Sequence, residues 1–110
     1  MRITKSIMLI AATGLIINGC ASIKMSSGGE KVRVLAPTEI SSCKHLGKSN
    51  NSVTAKVAGV KRPIETIESE LMIMARNGAS DMGGDTIVPL TVVADGKQSF
   101  NIYKCVNPNG

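Results

Sequence analysis

Three cysteines and one histidine are the residues here whose chemistry could go beyond packing: Cys20, Cys43, His45 and Cys105. Cys43 and Cys105 could form a disulfide, act as redox thiols, or join His45 around a metal. Redox work usually shows Cys-x-x-Cys with a lowered thiol pKa, and that spacing is absent. A zinc site on Cys43, His45 and Cys105 would lack a fourth close ligand. His45 follows Lys44 on a short β-like run, where a solvated histidine is a simpler reading than a catalytic base. No Gly-x-Ser-x-Gly occurs, and the glycines at 78, 83 and 84 follow a helical pattern, whereas a phosphate-binding loop precedes one. Nothing amounts to an active site, so no enzymatic activity, cofactor or metal is expected.

The choice among the thiol chemistries depends on compartment, and the N-terminus speaks to that. Arg2 and Lys5 precede an apolar run from Ile7 to Ile17, followed by Asn18-Gly19-Cys20. A cationic start, an apolar stretch and a small residue before a cut are the parts of a secretory signal. The run is well short of the roughly 20 residues that a membrane-spanning helix needs. Ile17-Asn18-Gly19-Cys20 resembles the lipobox read by the bacterial lipoprotein signal peptidase. Gly19 supplies the small residue, Ile17 stands where leucine is usual, and Cys20 is the position that receives fatty acyl chains. Residues 1–19 are thus expected to be a signal peptide and membrane lipid to be a covalent partner. Export implies an oxidising compartment, which makes a Cys43–Cys105 disulfide the default.

Removing Arg2 and Lys5 leaves 11 basic against 8 acidic residues, a net +3. That mild charge suits an anionic lipid surface. It does not call for nucleic acid, since stacking platforms for single strands are aromatic and only Phe100 and Tyr103 exist.

The elements that would position the cysteines follow from hydrophobic periodicity. Residues 20–30 read as the lipidated cysteine and a flexible tether, with residues 21–30 spanning about 17 Å on average; residues 31–110 read as one small domain. Lys31 to Leu35 alternates like a half-buried strand ended by Pro37. Cys43 to Lys48 is a second short strand, ending in a polar turn at Ser49 to Ser52. Val53 to Val57 is an extra edge strand or a loop. Pro63 suits the first position of a helix. Ile64, Ile67, Leu71, Met74, Ala75, Gly78 and Met82 then form an apolar stripe, with Glu65, Glu68 and Glu70 at the positive end of the dipole and Gly83-Gly84 as the stop. Asp85 to Val93 is β-rich, and Pro89 marks it as edge, bulged or bent. Asp95-Gly96 signals a turn, and Ser99 to Val106 alternates again. If Phe100, Ile102 and Leu46 pack on the helix, Cys43 and Cys105 both point away from it on the same side of the sheet, where a bond between them is sterically open. Ile73, apolar amid Glu70, Asn77 and Ser80, is a candidate partner contact. The fold class expected is α+β: a small, mainly antiparallel sheet of three or four strands, one helix on one face, stapled by a disulfide.

Three blocks carry a family resemblance: Ser42-Cys43-Lys44-His45-Leu46-Gly47; Ala75-Arg76-Asn77 with Ala79, Met82-Gly83-Gly84-Asp85 and Ile87; and Tyr103-Lys104-Cys105. Together they resemble the YjeI-type bacterial lipoproteins, an uncharacterised family with a lipobox at the start. More distantly the pattern is similar to the RcsF family of outer-membrane stress-sensor lipoproteins, which implies a helix on a small disulfide-stapled sheet. RcsF-type proteins have four cysteines in the domain and a long proline-rich arm, whereas this chain has two, and residues 21–30 hold no proline. Neither resemblance transfers a catalytic residue. With Ala21 after the lipidated position, sorting rules favour the periplasmic face of the outer membrane; in a single-membrane bacterium the address is the outer face of the plasma membrane. The expected role is an interaction module with an envelope protein partner, in envelope homeostasis or stress sensing. The alternatives are a thiol-active or metal-binding protein centred on Cys43, His45 and Cys105, or a purely structural lipoprotein.

Overall fold

The computed structural model describes residues 23–110; the signal-peptide and lipobox positions, Ile17, Asn18, Gly19 and Cys20 among them, lie outside the described residues. The single α-helix among the described residues, α1, runs Ile64–Asp81, with Pro63 as its N-cap and Glu65 in its first turn. Its buried stripe is Ile67, Leu71, Ala75 and Ala79, a strict spacing of four. That is a rotated version of the expected stripe: Ile64 and Met82 are about half exposed, at 50% and 48%. The physical reason is close approach. Ala75 and Ala79 are short enough to let the sheet come up against the helix, so the contact line follows them. Gly83 ends the helix at φ +81°, with Gly84 N–H donating to Ala79 O (2.7 Å) and Gly83 N–H to Ser80 O (3.0 Å), the paired bonds of a Schellman stop. Gly84 is needed for a different reason, because a Cβ there would lie 2.6 Å from Ile102 Cγ2.

Six strands follow in chain order: β1 Arg33–Val34, β2 Lys44–Ser52, β3 Lys56–Val57, β4 Val60–Lys61, β5 Thr86–Pro89 and β6 Lys97–Lys104. Four form a mixed sheet in the order β1-β5-β6-β2, and β3 and β4 pair separately as a hairpin. β1 lies parallel to β5, while β5–β6 and β6–β2 are antiparallel. This is the expected α+β class with a staple. Phe100, Ile102, Ile87 and Val32 form the core with Ala75 and Ala79, and Leu46 and Met72 pack against it. Asp95-Gly96 makes the expected turn, with φ of +50° and +72° and the Ala94–Lys97 bridge closing it.

Three local expectations are corrected. Ser49 to Ser52 is strand, not turn: Asn50, Asn51 and Ser52 pair with Ser99, Gln98 and Lys97. Turn-favouring side chains are tolerated on this solvent-facing edge strand because the ladder to β6 satisfies their backbone. Pro89 does not make β5 an edge. It is the last residue of a central strand, paired with Phe100 of β6 beyond the point where β1 runs out. The third correction concerns the tether. From Lys24 onward the chain is bonded to α1, ending in a 3-10 turn over Gly29–Lys31. Asn77 Nδ2 donates to Lys24 O (2.8 Å), and Asn77 Oδ1 accepts from Ser26 N–H (2.8 Å) and Ser26 Oγ (3.0 Å). Arg76 donates to Gly29 O (3.1 Å) and Glu30 O (2.9 Å). Gly28-Gly29 reads as a flexible linker, yet the glycines serve contact: a Cβ on Gly28 would collide with Ser80 Oγ and one on Gly29 with Asn77 Oδ1. Residues 24–31 form a strap across the outer face of the helix.

Candidate functional site

Cys43 and Cys105 are joined, with S–S 2.02 Å and Cα–Cα 4.2 Å across a sequence separation of 62. Alternation along β6 puts Phe100 and Ile102 on the helix face, and Tyr103 and Cys105 on the other. On β2 the pairing shifts between His45, opposite Tyr103, and Gly47, opposite Ile102, leaving Leu46 as the extra residue of a bulge. The bulge turns both Leu46 and Gly47 toward the helix side, where Leu46 packs on the core and a Cβ on Gly47 would meet Met82 Cε at 3.0 Å. Cys43 and His45 stay on the outer face with their β6 partners, as the alternation argument requires. The bulge itself was not legible in the sequence.

His45 is exposed beside the staple. Its ring meets Tyr103 edge-on at 5.2 Å between centroids, and its Nε2 lies 3.3 Å from Asn101 Oδ1. With the two sulfurs bonded to each other, neither offers a thiolate to His45 or to a metal in this state. Among the described residues no cluster of three or more His, Cys, Asp or Glu side chains is placed to hold a metal ion.

Asp85 is the residue near the staple that sequence reasoning missed. Its Oδ1 accepts from Cys105 N–H (2.8 Å) and Thr86 Oγ1 (2.9 Å), and its Oδ2 accepts from Val106 N–H (2.9 Å). The carboxylate thus ties the end of β6, and with it the bridge, to the start of β5. Burial raises the Asp85 pKa, but the bonds from Cys105, Val106 and Thr86, together with the charge of Arg33, outweigh it, so the carboxyl sits below its ordinary value. Its two backbone donors lie 20 and 21 residues downstream, and no local pattern announces that pairing.

Ile73, the candidate contact, is half-buried on the outer side of α1, between two fastening points. One is Asn77, which holds the strap. The other is Glu70, which takes a two-pronged grip from Arg62: Nη1 to Oε1 at 3.0 Å and Nη2 to Oε2 at 2.7 Å. Arg62 also donates to Thr54 O (2.7 Å), so this pair pins the β3–β4 hairpin to the helix. The bond from Arg62 holds the Glu70 carboxyl below its usual range. Beside the hairpin lies an open groove of about 240 Å³, lined by Ala55, Lys61, Ile64, Ile67, Val93 and Asp95 among others.

A family model described as a domain of unknown function (DUF4156) matches residues 23–105. No curated protein and no solved structure matches the chain. The matched span begins one residue before the strap and ends on the second cysteine of the staple, so both features fall within it.

Proposed function

This chain belongs to the DUF4156 family, and we propose that it is a lipid-anchored envelope module: Cys20 carries acyl chains, and the stapled domain held at the bilayer engages a protein partner. The observation that carries the reading is the lipobox-like Ile17-Asn18-Gly19-Cys20 behind an apolar run with a cationic start. The strap gives the anchor its geometry. With Lys24 fastened to Asn77, three residues separate the acylated position from the fastened chain, four backbone steps with a reach of at most about 14 Å. The domain sits on its membrane and does not hang from it on a long leash. Two or three acyl chains hold such a protein firmly, where one would hold it reversibly.

The three sequence blocks favour a lipoprotein of the YjeI type. An RcsF-like sensing role would need some substitute for the proline-rich arm, because here the corresponding segment is bonded down. Ala21 favours the periplasmic face of the outer membrane, with the outer face of the plasma membrane as the address in a single-membrane host. A docked, inert-looking platform with a covalent staple fits a protein that presents a surface better than one that turns over a substrate.

The test is a Cys20→Ser variant expressed in a bacterial host. Loss of the chain from the acylated envelope fraction is expected, and unchanged fractionation would remove the anchor. Crosslinking in intact cells should then capture one defined envelope protein. Recovery only of abundant neighbours in proportion to copy number would remove the partner.

A further inference from the structure

Glu70, Ile73 and Asn77 follow the i, i+3, i+7 spacing of a single helix stripe, and the two outer members fasten two different segments. Glu70 holds the β3–β4 hairpin through Arg62. Asn77 holds the strap at Lys24 and Ser26. Seven residues make the two fastenings about 10 Å apart along the helix and nearly in line. The strap crosses α1 from Arg76, which takes the carbonyls of Gly29 and Glu30, to Asn77. Its upstream end at Ile23-Lys24 therefore leaves on the Asn77 side, the side where the hairpin is fastened.

The hairpin reads Lys56-Val57-Ala58-Gly59-Val60-Lys61 and turns through Ala58 and Gly59 at φ +50° and +78°. Val57 and Val60 flank that turn and are 60% and 68% exposed. Lys56 and Lys61 pair one step further from the turn than Val57 and Val60 and line the groove, so alternation puts them on the opposite face of the ribbon from the valines. Arg62 is already engaged by Glu70, so the free charges on the hairpin are both positive. Across the groove, the loop from Leu90 to Val93 exposes Val92 at 82%. The acidic groups near this flank are Asp95 in the groove, Glu65 and Glu68, exposed in the first turns of α1 behind the hairpin, and Asp81, one turn beyond Asn77; none of them lies on the hairpin itself.

We propose that this flank rests on an anionic lipid surface, with Val57 and Val60 sunk to the acyl boundary and Lys24, Lys56 and Lys61 reaching headgroup phosphates. Lysine stems lie along apolar surface while their ammonium groups stay at the polar layer, which suits a bracketed apolar tip. The proposal rests on the lipid-anchor reading for how the domain reaches the bilayer. Two valines and a few lysines bind a membrane weakly from solution, but an anchored domain meets it at an effective concentration in the millimolar range, roughly. The flank contact then fixes orientation, and leaves the sheet face bearing His45, Tyr103 and the staple directed away from that bilayer.

The chain contains no tryptophan, so a Val60→Trp substitution at this exposed site supplies a single depth reporter in the full chain. Purified from a bacterial envelope and reconstituted into phosphatidylglycerol-containing vesicles, it should show blue-shifted emission and quenching by brominated acyl chains. A Lys48→Trp reporter, on the outer face of β2, should stay in water. Adding Lys56→Glu and Lys61→Glu should weaken the quenched population by roughly fivefold or more for each lysine. Co-flotation with vesicles while the reporter at position 60 remains water-exposed would overturn the flank contact and leave the anchor standing. Quenching at position 60 in a chain whose Cys20 proves unmodified would do the reverse. A blue shift that grows with protein concentration without vesicles would assign the hairpin to a second copy and overturn the lipid surface.

Discussion

Replacing Cys43 and Cys105 together with alanine tests the staple most sharply. The bond spans a sequence separation of 62, and the loop it closes contains β2, the hairpin, α1, β5 and β6, leaving the strap, β1 and a 3-10 turn at Pro37–Glu39 outside among the described elements. In the chain-entropy treatment, cross-linking a loop of that length removes about 4 kcal/mol of unfolded-state freedom. The domain has little to set against such a loss. One Phe, one Leu and a few Ile and Val side chains form its buried core, and single domains are stable by about 5–15 kcal/mol in total. For a domain this small the loss corresponds to a fall in Tm on the order of 20 °C. Thermal unfolding followed by circular dichroism, with and without a reductant and on the double variant, reads it directly. The reduced wild type and the variant should melt together, far below the oxidised protein. A shift of only a few degrees would refute the claim that loop closure holds this fold. If the variant kept its stability but lost its cellular role, the cysteines would have a chemical function and the structural account of them would fall.

Three further outcomes follow from named contacts. Gly29→Ala drives a methyl into Asn77 Oδ1, so hydrogen exchange across residues 24–31 should speed up while β6 stays protected; unchanged exchange would mean that the strap is not held by that close approach. Asp85 has a lowered pKa in the folded state, so its contribution is present above the ordinary carboxylate value near 4 and lost as pH falls through the folded value. Urea midpoints should therefore drop on acidification below about pH 4, and Asp85→Asn should cost about 1–2 kcal/mol near neutrality and flatten that acid limb; an unaltered limb would assign the drop to other groups. Arg62→Ala should free the hairpin, seen as faster exchange at residues 56–61 without a matching fall in global stability.

How far the sequence could be read depended on the range of the interactions involved. The helix was legible because its stripe, its acidic first turn and its Gly-Gly stop are local. Even there the stripe was rotated, since the line of closest contact is set by Ala75 and Ala79 meeting the sheet. The face shared by Cys43 and Cys105 followed from alternation alone, although the bulge at Leu46 that keeps the core in register left no local mark. Ser49 to Ser52 misled because turn propensity is local while strand pairing with residues 97–99 is not. Gly28-Gly29 misled in the same way, its composition suggesting a linker when its role is to fit beneath Ser80 and Asn77. Asp85, Arg76 and Asn77 were invisible as site residues because their partners are backbone groups 20 to 53 residues away.

Mass spectrometry of the N-terminal peptide from envelope-derived mature protein bears most directly on whether this is a lipoprotein at all. A peptide beginning at Cys20, heavier by the mass of a diacylglyceryl group with or without a third acyl chain, is the result expected. A peptide in which Cys20 is an unmodified thiol, or in which the residues before it are retained, would contradict it.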